Sequence, residues 1–160
     1  MSKERYLKNI EDNLGRKRTS LKLELEEVLE LRFSPEVDIV DFVLVDTVDG
    51  TDIMVYCMDI NGEEVYSGYG ESCFAGSEKV MEKTGIFKVD EDLDLQEIFS
   101  NHPEIEHEEI ELVSNWFAEA FERAGGKDFK LPCYFGLEND IKSLDLKKNK
   151  WVLNGSEKFI

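Results

Sequence analysis

Cys73, His102 and His107 are the side chains of this sequence best suited to nucleophilic or metal chemistry. Cys73 follows Tyr69-Gly70-Glu71-Ser72, which reads as a strand-to-helix junction. A helix N-terminus there would lower the thiol pKa and favour the thiolate. Glu71 and Glu78 flank it and act in the opposite sense, and no cysteine-hydrolase motif surrounds it. The two histidines lie in NHPEIEHEE, five residues apart and separated by Pro103. That spacing does not put two imidazoles on one helix face, and H-E-x-x-H is absent. They read as surface histidines at a charged helix start. Asp90-Glu91-Asp92-x-Asp94 resembles the opening of a calcium loop, but the sixth and twelfth positions are Leu95 and Asn101 where such a loop needs Gly and Glu. Gly68-Tyr69-Gly70 lacks the third glycine of a dinucleotide loop and follows a hairpin strand. No phosphate-binding P-loop is present. The expectation is a non-catalytic protein with no metal and no cofactor.

Acidity is the feature these exclusions leave. The 160 residues carry 36 acids against 19 Lys and Arg, a net charge of −17. Residues 1–22 hold seven bases against three acids, and residues 142–160 hold five against two. The body between them has 31 acids against seven bases. Its densest stretch, residues 87–111, sets ten acids against Lys88. Such a field attracts basic partners and repels nucleic acid and anionic membranes. It exceeds the net charge of about 2–8 that solubility asks of a small domain. A binding surface is therefore expected from Asp90, Glu91, Asp92, Asp94, Glu104, Glu106 and Glu108, with Phe99 and Trp116 as apolar anchors, or with Trp116 in the core instead, since it lies one residue off the main helical stripe. The basic stretch Arg16-Lys17-Arg18 is expected to pair with the acidic body or to lie in solvent.

The chain length suits one domain spanning residues 1–160. No apolar run reaches the roughly 18–20 residues that span a bilayer, and the first residues lack the apolar stretch of a secretory signal. Cys57, Cys73 and Cys133 are odd in number and widely spaced, which suits reduced thiols. A cytoplasmic protein is expected, with its oligomeric state left open. Cys57 and Cys133 sit in apolar runs and read as core.

These residues must be positioned by a particular order of elements. Tyr6, Leu7, Ile10 and Leu14 form one helical stripe, with Ser2 as its cap and Gly15 as its stop. Residues 20–33 fit either helix or strand, and Leu/Glu-rich composition favours helix, so helices are expected within residues 3–33. Residues 37–48, 53–60 and 64–69 read as a three-stranded meander over about 37–70, turned at Asp49-Gly50 and Asn61-Gly62. Residues 72–84 read as a helix capped by Gly85. A short helix is expected near residues 95–99. The strongest helix, over 104–124, carries Ile110, Val113, Phe117, Ala120, Phe121 and Ala124 on one stripe. A strand over 129–137 follows, then a short one at 151–153. The class implied is α+β: an antiparallel or mixed sheet built on the meander, with helices packed mainly on one face.

In length, acidity, cytoplasmic character and lack of a catalytic motif, the chain resembles bacterial toxin-immunity proteins. The late order of long helix 104–124, strand 129–137 and polar segment ending at Trp151 is similar to the layout of several such families. The resemblance implies an inhibitor of a cognate basic toxin domain, nuclease-like, whose acids stand in for substrate phosphates. No individual family residue is transferred by it. Two alternatives stand beside it: a nucleic-acid mimic that regulates host enzymes, and a small cysteine-dependent enzyme using Cys73.

Overall fold

A computed structural model describes residues 2–48, 50–66, 73–154 and 158. The first element is one continuous helix, α1 (Ser2–Leu29). Gly15 does not stop it, and Ser2 is its first residue rather than a cap before it. The buried face explains the continuity: Tyr6, Ile10, Leu14, Leu21, Leu25 and Val28 keep helical spacing across the glycine. Gly15 itself is exposed, so its cost is only the ~1 kcal/mol of a glycine in a helix interior. The ambiguous 20–33 stretch is thus helical as far as Leu29, and Phe33 makes an isolated bridge to Phe74.

The sheet has six strands in the order β3-β2-β1-β4-β5-β6. Strand β1 (Ile39–Thr47) pairs antiparallel with β2 (Gly50–Met58), closing at Thr47 opposite Gly50. Asn61-Gly62 does form a turn: Gly62 has φ 82° and its N–H donates to the Asp59 carbonyl at 3.1 Å. The meander has its three adjacent strands, but the third is not 64–69. Glu64 makes only a bridge to Met58, and residues 67–69 lie outside the described set. The pairing edge of β2 is taken instead by β3 (Ser77–Met81).

Of the helix expected over 72–84, the described residues 73–84 form strand and turn instead. Gly76 (φ 85°) and Lys83 (φ 50°) sit in left-handed backbone that a helix interior excludes. Val80 is the one residue of β3 fully buried, too little to hold a helix against the core. Glycine 85 (φ 66°) turns the chain after β3 rather than capping a helix. Asp49, Gly68-Tyr69-Gly70 and Ser72 fall outside the described residues.

Helix α2 (Leu95–Asn101) starts from Asp94, whose carboxylate accepts the Glu97 N–H at 3.1 Å. Helix α3 (Ile105–Arg123) ends at Ala124, and Gly125 (φ 90°) reverses the chain. The next glycine has a packing reason: a Cβ on Gly126 would lie 2.3 Å from the Phe121 ring. The late strand is β4 (Cys133–Leu137), shorter than 129–137, and it runs parallel to β1. Two further strands, β5 (Lys142–Asp145) and β6 (Lys150–Leu153), complete the sheet by antiparallel pairing. Strand β5 was not expected; β6 was, and Gly155 after it is outside the described residues.

Helices α1 and α3 cover one sheet face. Phe117 stacks on Phe135 of β4 at 4.3 Å and meets Phe42 of β1 at 5.2 Å. Cys57 and Cys133 are buried on the same side, and burial pushes each thiol up to about 12. Among the described residues no helix is long and apolar enough to cross a membrane.

Candidate functional site

The acids of residues 90–108 do not form a single open surface. Helix α1 lies beside them and neutralises half. Arg5 binds Asp92 at 2.7 Å and Asp90 at 3.0 Å, while Lys3 binds Glu104 at 3.0 Å and Glu108 at 3.2 Å. The bonds from these bases hold the Asp92 and Glu104 carboxyls below the usual carboxylate range and raise Lys3 and Arg5. The acidic body does pair with basic residues from the start of the chain, but through Lys3 and Arg5. Arg16 donates instead to the Asn13 side chain.

The other expected site residues have separate fates. Asp94 is occupied as the cap of α2. Phe99 is 38% exposed and packs edge-on against Tyr6, with ring centroids 5.4 Å apart. Trp116 is buried, the core alternative of the two places expected for it. It is 5% exposed, and its indole N–H donates to the Leu14 carbonyl at 2.8 Å, fastening α3 to α1. Its place one residue off the main stripe faces α1 rather than the sheet. Glu91 and Glu106 remain exposed, with no ion pair to any described residue. His102 lies 3.3 Å from Glu104, and His107 pairs with Glu111 at 3.1 Å, so the two rings serve different neighbours. Cys73 precedes strand pairing, not a helix, which removes the N-terminal field expected to activate its thiol.

What the fold brings together is a different set. Strands β1 and β4 are the parallel pair, so both deliver their carboxyl ends to one edge of the sheet, with Leu44 opposite Leu137. Beyond these lie Asp46 and the Glu138-Asn139-Asp140 turn, with Asn139 at φ 67°. The first turns of α3 add Glu106, Glu109 and Ile110, and α1 adds Tyr6. Between them is a cleft of about 550 Å³, floored by Leu44, Leu137, Ile110 and Phe87 and rimmed by five carboxylates. Phe87 is set by two asparagines one turn apart on α1. Asn13 donates to the carbonyls of Ile86 at 3.0 Å and Lys88 at 2.6 Å, and Asn9 accepts the Asp90 N–H at 2.8 Å.

Within the cleft, Tyr6 donates its hydroxyl to Glu109. Burial nevertheless pushes the Glu109 carboxyl up, outweighing that bond, and the Glu106 charge adds to the rise. Asp46, Glu106, Glu138 and Asp140 make no ion pair with any described residue, although Asp140 accepts the Ile141 N–H at 2.7 Å. Among the described residues no group of His, Cys, Asp and Glu side chains is close enough to hold a metal ion. The arrangement suits a cation with an apolar stem, such as a lysine or arginine side chain: carboxylates for the charge, a hydrocarbon floor for the methylenes.

Of the expected residues only Glu106 lines this cleft. Asp46, Glu138 and Asp140 were missed because their approach to α3 depends on the parallel pairing of β1 with β4. Asn139 beside Asp140 is the kind of pair that turns a chain, a signal the sequence offers without showing what the turn faces. Comparisons with protein-family models, with curated proteins and with solved structures found no match.

Proposed function

We propose that this protein is a non-catalytic acidic binding protein whose cleft receives basic side chains of a protein partner. The observation that carries this reading is the set of carboxylates around an apolar floor, four of them making no ion pair with any described residue. Lys3 and Arg5 neutralise four neighbouring acids but none of the five that line the cleft, whose charged groups are all of one sign. Focused fields of this kind raise the association rate of an oppositely charged protein by about 10–10³-fold. The most concrete form of the proposal is an immunity protein for a cognate, nuclease-like toxin domain. In that form the cleft and Glu91 engage basic groups that the toxin uses for substrate phosphates, and Phe99 contributes apolar contact at the margin.

The test is purification from the native host and identification of the bound protein, followed by association kinetics with that protein. The expected partner is a basic domain bound 1:1, with an on-rate that falls steeply as salt rises. Competition with DNA or RNA for several basic proteins would point to the nucleic-acid mimic instead. An on-rate insensitive to both salt and cleft charge would remove the cleft from the interface.

A further inference from the structure

The sheet face turned away from the helices carries a buried cation. Lys158, in the segment beyond β6, sets its ammonium group 2.7 Å from the Asp41 carboxylate of β1 and 3.3 Å from the Ser143 hydroxyl of β5. The same nitrogen lies 5.3 Å from the centroid of the Tyr134 ring of β4. The lysine side chain is 4% exposed and that of Asp41 13%. Three strands thus each supply one wall, and the charge, the hydroxyl and the ring face are the three kinds of group an ammonium ion seeks.

Two features shape this place apart from the lysine. Gly136 leaves the face open beside Ser143; a Cβ there would lie 2.8 Å from Ser143 Oγ and 3.4 Å from the Lys142 carbonyl. Ser143 is itself oriented, donating to Asn154 Oδ1 at 2.6 Å while the Asn154 amide donates to the Asp140 carbonyl at 2.9 Å. The Ser143 oxygen is thereby left to accept from a cation. Burial pushes the Asp41 carboxyl up and the adjacent ammonium opposes it, so the carboxylate depends on having a cation beside it. Apolar residues would close this face without any desolvation cost. The ion pair therefore specifies what docks here more than it strengthens the sheet.

We propose that Asp41, Ser143 and Tyr134 form a binding site for a primary alkylammonium group, filled in cis by Lys158 and able to take a free amine of the same shape when that side chain is removed. The site is separate from the acidic cleft and does not rest on the reading given above. In the intact protein Lys158 competes for it at high effective concentration, so an external amine binds far more weakly than to the emptied site.

The experiment is thermal unfolding of the wild type, Lys158→Ala and Lys158→Ala/Asp41→Asn in n-butylammonium chloride, with n-butanol as the neutral probe of equal shape. The amine should raise the Tm of Lys158→Ala by about 2–4 °C beyond the effect of butanol. It should leave the wild type and the double variant unmoved. Equal shifts in all three proteins would overturn the proposal, since the amine would then be binding elsewhere, the acidic cleft included. So would a folded Lys158→Ala that does not respond. Should Lys158→Ala fail to fold alone, recovery of its near-UV signal in the amine but not in butanol supports the site, and recovery in neither overturns it.

Discussion

The acids paired with Lys3 and two acids of the cleft, Glu106 and Glu109, are near neighbours in sequence but opposite in electrostatic state. Glu104 and Glu108 turn toward Lys3, while Glu106 and Glu109 turn toward the cleft. Helical geometry sorts them. At 3.6 residues per turn, positions four apart share a side and positions two apart fall on opposite sides. One short run of glutamates therefore supplies both a neutralised brace and an unneutralised rim. Acid content along a sequence measures neither; what matters is which acids meet a base after folding.

Both regions depend on α1 lying along α3, so the change that breaks the comparison outright is at their junction. Trp116→Ala removes a buried ring and its bond to the Leu14 carbonyl. Truncation of a buried Trp costs about 3–5 kcal/mol. The urea midpoint should fall accordingly with an unchanged m-value, whereas a loss under 1 kcal/mol would mean that the helices dock without it. A more selective change compares charge reversals. Glu106→Lys with Glu138→Lys should slow association with the basic partner by at least about tenfold at low salt. Asp92→Lys, in the neutralised patch, should slow it much less. Equal slowing by both variants would erase the distinction between the regions.

Much of the frame was legible from sequence, for reasons that can be assigned to particular residues. The stripe Val113, Phe117, Ala120 and Phe121 announced α3, because burial on one face imposes its period directly, and the β-rich runs of β1 and β2, apolar at both parities, announced strands inside the sheet. The failures were places where a distant partner decided the outcome. Residues 77–81 carry weak helical composition but were claimed by the open edge of β2. Gly15 was read as a stop, although the apolar stripe beyond it had a face of the core to cover. The cleft was illegible because it depends on β4 crossing over to lie parallel to β1, which no local pattern encodes. The candidate residues were chosen by acid density, and Arg5 and Lys3 then withdrew most of them.

The two regions should also respond to pH with opposite sign, an effect smaller than the charge reversals. Glu109 has its carboxyl raised in the folded protein above the ordinary 4.5, chiefly by burial. The stability it contributes is complete below the unfolded value and is lost as pH rises through the folded one. Asp92 and Glu104 are lowered, so their contribution is present above the unfolded values and is lost as pH falls through the folded ones. Replacing Glu109 with Gln keeps an acceptor for the Tyr6 hydroxyl and removes the titration. Measured by urea unfolding, Glu109→Gln should gain on the wild type as pH rises from about 4 to 7. A flat difference would show that Glu109 is not held up by its surroundings.

The smallest effect belongs to Lys3, and it sharpens the comparison most. Its pairs with Glu104 and Glu108 are solvent-accessible, so Lys3→Met should lower stability only slightly, and the deficit should shrink as salt is raised and screens what remains. Its consequence for binding runs the other way. Freeing two carboxylates beside the cleft extends the unneutralised field, so association with the basic partner should quicken at low salt while stability falls. Stopped-flow association and urea unfolding on the same variant separate the two. If Lys3→Met lowers stability and slows association together, the lysine braces the surface the partner uses, and the division between brace and rim does not hold.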